Sequence, residues 1–117
     1  MLSAIHPKLP MRDKETTKRY YLDNLAFEEL ADYGDYLMIG KDNIEIHFFE
    51  FKDLNPLDNY GMVYIRTTAI HTLYNNLLDY KIAIHPNAPL LQKPWGQWEF
   101  SLLDPDNNLL TFGQGLD

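Results

Sequence analysis

Residues 94–114 read PWGQWEFSLLDPDNNLLTFGQ, and the fold turns on this stretch. Gln97 to Leu103 alternates as a strand does, Asp104 to Asn108 has the composition of a tight turn, and Leu109 to Gln114 alternates again. Upstream lie a proline-punctuated loop from Pro86 to Pro94 and a short strand-like run from Ile82 to His85. Before them Ile70, Leu73, Tyr74, Leu77 and Leu78 recur at helical spacing behind Thr67 or Thr68 as a cap, and Met62 to Arg66 reads as a strand. The second half of the chain is therefore strand–helix–three strands.

The first half repeats that order. Ser3 to Leu9 is a strand candidate closed by Pro10, and Asp13 is the N-cap of a helix over Lys14 to Asp23. Three strand-like runs follow, Ala26 to Tyr33, Tyr36 to Ile39 and Ile44 to Phe51, and Asp53 to Asn59 reads as a linker. Details match as well: Asp42-Asn43-Ile44-Glu45-Ile46 is echoed by Asn107-Asn108-Leu109-Leu110, and Tyr20-Tyr21 before Leu25 by Tyr74 before Leu77. The expected architecture is α+β: one domain over 1–117 made of two tandem βαβββ modules, about 1–53 and about 60–117. Each module is too small to bury its own sheet, so the two pack together.

Composition narrows the function. The chain has 117 residues, 45% apolar and 23% charged, enough for one folded domain and not for two independent ones. No apolar run approaches the roughly 18–20 residues of a membrane span. The start, MLSAIHPKLP, lacks the layout of a secretory signal, so a cytoplasmic location is expected. There is no cysteine, which excludes disulfides and thiolate chemistry. With 10 Lys+Arg against 17 Asp+Glu the net charge is −7, which argues against nucleic acid and anionic membranes as partners. The same charge suits a cationic ligand, and it also serves solubility alone.

Strand alternation sorts side chains onto two faces. Ile44, Ile46 and Phe48 oppose Glu45, His47 and Phe49; Val63 and Ile65 oppose Met62 and Tyr64; Leu110 and Phe112 oppose Leu109, Thr111 and Gly113; Ile5 and Leu9 oppose His6 and Lys8. Helices must cover the apolar sets. The other side then carries His6, Glu45, His47, Phe49, Met62, Tyr64 and Thr111, aromatic and polar together, as a ligand cleft is. His47 reads equally as cleft lining or as packing, while Glu45 and Glu99 read as solvated carboxylates. His71 and His85 read as surface residues.

Several stretches identify the chain as resembling the glyoxalase/bleomycin-resistance/dioxygenase (vicinal oxygen chelate) superfamily, and within it most nearly the bleomycin-resistance proteins. They are Leu9-Pro10-Met11-Arg12-Asp13 before a helix ending in Arg19-Tyr20-Tyr21; Phe48-Phe49 followed by Leu54-Asn55-Pro56-Leu57; Val63-Tyr64-Ile65-Arg66; and above all Pro94 to Phe100 closing into Asp104-Pro105-Asp106-Asn107-Asn108. The likeness covers nearly the whole chain. Asn107 departs from the usual glycine, and asparagine tolerates the left-handed conformation that such a turn needs.

Metal-using members of that superfamily carry four His, Glu or Gln ligands on four strands. His6 falls on the first of those positions, Glu45 or His47 on the second, Met62 on the third and Thr111 on the fourth. A thioether and a hydroxyl do not replace two ligands of a catalytic divalent metal, so neither a metal nor any other cofactor is expected. The resemblance instead implies a metal-free binder that sequesters a cationic or aromatic antibiotic-like ligand, bleomycin among them, in a cleft at a two-fold homodimer interface. It places Tyr36, Phe49, Met62, Tyr64 and Trp95 at that cleft, and His47, Tyr60 and Trp98 lie close enough in sequence to extend it. It also implies an N-terminal arm that hinges near Pro7 and can cross to the partner. The alternative is a glyoxalase-like metalloenzyme, a lyase or dioxygenase.

Overall fold

The computed structural model describes residues 1–116. Two four-stranded sheets form, each with one parallel pair. In the first, β1 (Lys8–Met11) lies parallel to β4 (Ile44–Glu50), followed outward by β3 (Tyr36–Lys41) and β2 (Glu28–Asp32). In the second, β5 (Met62–Arg66) lies parallel to β8 (Leu109–Gly115), followed by β7 (Gln97–Leu103) and β6 (Leu91–Lys93). The strand orders β1-β4-β3-β2 and β5-β8-β7-β6 are the same pattern twice, so the repeat read from sequence is a repeat of topology.

A helix covers one face of each sheet. Helix α1 (Lys14–Lys18) starts at Asp13, whose carboxylate accepts from the Thr16 N–H at 3.0 Å, and continues as a wider π-helical turn over Arg19–Asn24. That turn buries Tyr21 against Phe48 and Phe27, with ring centroids 4.9 and 5.7 Å away. Helix α2 (Ile70–Asp79) buries Ile70 and Leu77 and sets Tyr74 edge-on to Phe100 at 5.0 Å. Leu9, Met11, Leu37, Ile39, Ile46, Phe48, Phe100, Leu102, Leu110 and Phe112 complete the core, in the parity the alternation requires. Each such side chain contributes about 1.5–3 kcal/mol by leaving water.

Three expectations are corrected. The first strand lies at Lys8–Met11 rather than Ser3–Leu9, with Pro10 inside it. His47 N–H donates to the Pro7 carbonyl and Phe51 N–H to the Met11 carbonyl, so odd positions carry the ladder and Pro10 has no N–H to lose from it. Residues 82–85 form no strand. His85 N–H bonds the Ser101 carbonyl and Ser101 N–H the Ala88 carbonyl, but Pro86 cannot extend the ladder, and the edge strand appears at Leu91–Lys93. Finally, neither Thr67 nor Thr68 caps α2 directly: the Ile70 N–H donates to Oε1 of Gln114 on β8 at 2.7 Å.

The turn after β7 joins the halves. Asp104 is 4% exposed and accepts the Tyr21 hydroxyl at 2.7 Å, the Asn108 side-chain amide at 2.9 Å, and the N–H groups of Asp106 and Asn108, each at 2.9 Å. Asn108, 0% exposed, donates to the Pro10 carbonyl at 3.0 Å and accepts from Asn59 at 2.8 Å. Asp106 takes the Arg12 guanidinium at 2.6 Å and the Arg12 N–H at 3.2 Å. Asn107 sits at φ 63°, the left-handed conformation expected of it.

Burial holds the Asp104 carboxyl above the usual carboxylate range, against the pull of its hydrogen bonds. A carboxyl raised in the fold stabilises it below its unfolded pKa, and that contribution disappears as pH rises through the folded value. The wild-type chain should therefore gain stability relative to Asp104→Asn as pH falls from about 7 to about 4.5, in denaturant titrations at each pH. Asn108→Ala, which strands the partners on both modules, should cost about 2–4 kcal/mol at neutral pH.

Candidate ligand cleft

With helices on one face of each sheet, the opposite faces stay open. On the first sheet the face is built from even positions of β1 and β3 and odd positions of β4, a parity set by the registers Lys8↔His47, Pro10↔Phe49 and Tyr36↔Phe49. Tyr36, His47 and Phe49 therefore share it with Glu45. The Tyr36 hydroxyl lies 2.8 Å from His47 Nδ1, and Lys8 Nζ stands 5.6 Å from the centre of the Tyr36 ring. His47 Nε2 meets Glu45 Oε2 at 2.5 Å, and His6 Nε2 approaches the same oxygen at 3.8 Å. The His47 bond, aided by the charge of His6, holds the Glu45 carboxyl below its ordinary value.

On the second sheet Met62, Tyr64 and Arg66 of β5 share a face with Thr111 and Gly113 of β8 and Glu99 of β7. One oxygen of Glu99, Oε2, accepts both the Tyr64 hydroxyl at 2.7 Å and the Trp95 indole N–H at 3.0 Å. Tyr64 is 47% exposed and Trp95 65%, so neither ring is held by packing alone. Gly113 makes the room: a Cβ there would collide with the Tyr64 hydroxyl and ring. Partial burial and the Glu99 bond raise the Tyr64 phenol above its ordinary pKa. Arg66 lies 5.4 Å from the centre of the Tyr64 ring and donates to Gln97 at 2.8 Å.

Two recesses meet at His6 and Glu45. One, of about 550 Å³, lies between residues 4–7, the start of β4, and Val63 to Arg66 of β5. The other, of about 500 Å³, is mixed in lining, with Ala26 and Leu30 beside Glu28, Lys41 and Asp42. The first brings Tyr64 together with His6 and Glu45; Tyr36, His47, Phe49, Met62 and Trp95 do not line it. Tyr60 is exposed in the connection before β5. Trp98 falls on the other parity of β7. It packs against the core and edge-on to His71 at 4.8 Å, so the open face does not include it, and His71 is less free than the sequence suggests.

His6, Glu45 and His47 present ligand atoms within 4.8 Å of one another, the donor types of a borderline divalent metal. The two further positions of the four-ligand pattern carry Met62 and Thr111, both on the second sheet. A thioether and a hydroxyl do not complete the set, so the residues do not fit that four-ligand centre. Glu99 is what sequence reasoning missed. It reads from sequence as a solvated carboxylate, and its parity on β7 and its place four residues after Trp95 are the signals for the contacts it makes.

No family model matches the chain. A bleomycin resistance protein of Geobacillus stearothermophilus is 28% identical over 130 aligned positions, which cover 97% of this chain and 97% of the relative, and that of Staphylococcus aureus is equally similar. Among solved structures, a bleomycin resistance determinant encoded on the transposon Tn5 superposes with a TM-score of 0.89 at 22% identity, covering 99% of this chain and 100% of the other. The chain has the fold of the bleomycin-resistance proteins and resembles them in sequence along nearly its whole length. A bleomycin-binding protein complexed with bleomycin follows at a TM-score of 0.84 and 21% identity, over 97% of this chain and 99% of that one. A glyoxalase/bleomycin resistance protein/dioxygenase from Alicyclobacillus acidocaldarius reaches 0.81 at 19% identity, over 98% and 92%.

Within this bleomycin-resistance fold, Tyr36 positions His47 by its hydroxyl. Tyr36→Phe should leave the unfolding midpoint nearly unchanged while altering the nitrogen-15 shifts that report the His47 tautomer; an unaltered imidazole spectrum would mean that the 2.8 Å contact does not orient the ring.

Proposed function

We propose that this chain is a small-molecule-binding protein that sequesters a cationic or aromatic antibiotic-like ligand, bleomycin or a compound of its kind, without altering it chemically. One observation carries the reading: two exposed aromatic rings, Tyr64 and Trp95, are held in place by hydrogen bonds to a single carboxylate on an open sheet face. Unpacked rings fixed in this way offer planes for stacking on a heteroaromatic ligand. The whole-length similarity to bleomycin resistance proteins, and the likeness of fold to a bleomycin-binding protein complexed with bleomycin, support the same choice of ligand. The site comprises Tyr36, His47, Phe49, Tyr60, Met62, Tyr64 and Trp95; Trp98 drops out because it packs beneath the sheet.

The working form is a cytoplasmic homodimer, in which the single domain of one chain meets its copy and the open faces oppose each other. Support comes from the N-terminal arm, where Met1, Leu2 and Ile5 are almost wholly exposed on a segment outside helix and strand that a second copy would cover. No helix of the described residues is long and apolar enough to cross a membrane.

A second reading, a glyoxalase-like metalloenzyme, draws on the His6, Glu45 and His47 group. Met62 and Thr111 weigh against it. The two readings separate on addition of chelator, which leaves a sequestering protein unaffected and disables a metalloenzyme.

Titration of the purified protein with bleomycin, followed by calorimetry and tryptophan fluorescence, should saturate at one ligand per chain and be insensitive to chelator. Trp95→Ala and Tyr64→Ala should each weaken binding by about 1–3 kcal/mol, while Trp98→Phe leaves it unchanged. Equal affinity in the first two variants overturns the site. Removing residues 1–6 should shift the chain toward monomer in sedimentation experiments; an unchanged dimer would take the arm out of the interface.

A further inference from the structure

We propose that Glu99, with Tyr64 and Trp95, forms a cation subsite on the open face of the second sheet, taking the alkylammonium or a similar soft organic cation of the ligand. The subsite rests on reading that face as a ligand cleft, and it goes further by assigning one carboxylate and one ligand group.

Glu99 has no ion-pair partner among the described residues, although Arg66 is on the same face. Arg66 instead donates to Gln97 and lies over the Tyr64 ring. The carboxylate thus has no ion pair within 4.0 Å, and both aromatic donors go to Oε2, so no hydrogen bond among the described residues uses Oε1. Its two hydrogen bonds anchor the phenol O–H and the indole N–H edge on the same oxygen, which fixes where both rings stand. A carboxylate flanked by an indole and a phenol is the chemistry that recognises a quaternary or alkylated ammonium: ring faces attract the diffuse charge and the carboxylate supplies the counter-ion. Arg66, 5.4 Å from the Tyr64 centroid, already lies over that ring, so the incoming cation is taken chiefly by the Glu99 carboxylate and the exposed Trp95 indole. A metal ion finds too few donors here, since Glu99 is the only carboxylate among these side chains. Gly113 is the positioning residue, because any side chain there displaces Tyr64 from Glu99.

Choline and its uncharged isostere 3,3-dimethylbutan-1-ol test the assignment on the full-length protein, with the Trp95 indole N–H followed by nitrogen-15 NMR. Choline should shift that signal saturably and leave the Trp98 indole in place; the alcohol should bind about ten-fold more weakly or less well still. Glu99→Gln should lose about ten-fold in choline affinity. Should that variant fail to fold, salt dependence serves with the wild type: raising NaCl from about 50 to about 500 mM should weaken choline several-fold and leave the alcohol unaffected. The proposal is overturned if choline gives no saturable shift, if the alcohol does as well, or if both the substitution and salt are without effect. Bleomycin titrated into the same sample separates the two ideas. Choline binding without bleomycin binding retains the subsite and removes the drug. Bleomycin binding that spares Trp95 and does not compete with choline removes the subsite and retains sequestration.

Discussion

The structure depends on the way the turn from Asp104 to Asn108 closes the outer edge of β1. In that parallel strand the odd residues face β4, so the even residues turn their backbone groups outward. The Pro10 carbonyl and the Arg12 N–H would otherwise be an unpaired edge. Asn108 donates to the first and Asp106 accepts from the second, and the same turn holds Tyr21 through Asp104. An edge that invites pairing with another chain becomes the joint between the modules. Burying an aspartate is costly, and the cost is met by four hydrogen bonds to one carboxylate. Truncating any partner would leave that group incompletely satisfied, so the turn tolerates little change.

This joint has a consequence for the open faces. Because Tyr21 and the turn secure the core side, no additional layer is needed on the other side to hold the sheets together. Glu45, His47 and Tyr36 on one sheet, and Tyr64, Trp95 and Glu99 beside the other, are held by hydrogen bonds to one another rather than by a covering element, with His6 3.8 Å from Glu45. Polar contacts of this sort give direction without filling space. They leave the rings oriented and accessible, which is the state in which stacking on a ligand loses little rotamer entropy.

Much of this was legible in the sequence, for particular reasons. Parity alone sorted Ile46 and Phe48 from Glu45, His47 and Phe49, since a period of two survives small errors in strand boundary. The helical spacing of Ile70, Leu73, Tyr74 and Leu77 located α2, although Leu78 turned out half-exposed at the edge of the stripe. Boundaries differ where a proline acts through its context: Pro10 reads as the end of β1 and sits within it, because its N–H position faces the outer edge, where a missing donor is harmless. Strand β6 escaped notice because Leu91 to Lys93 is short and flanked by Pro89 and Pro94, and its pairing is decided by β7. The Gln114 cap of α2 spans 44 positions in the chain, and no local pattern encodes such a contact.

The site was legible by residue type more than by arrangement. Tyr64 and Trp95 are aromatics at positions the resemblance singles out, but the group that relates them, Glu99, is marked in sequence only by its parity on β7 and its spacing from Trp95. Trp98 shows the converse: a large aromatic next to the motif, yet one residue out of parity, and therefore beneath the sheet against His71. The same parity argument bears on the metal question. Met62 and Thr111 occupy open-face positions where a chelating set would need imidazole or carboxylate, so the second sheet contributes aromatic rings and one unpaired carboxylate in place of metal ligands. Its strands carry Arg66 and Lys93 against the single carboxylate of Glu99, so what this face offers beside its rings is one local acceptor and not a field of negative charge.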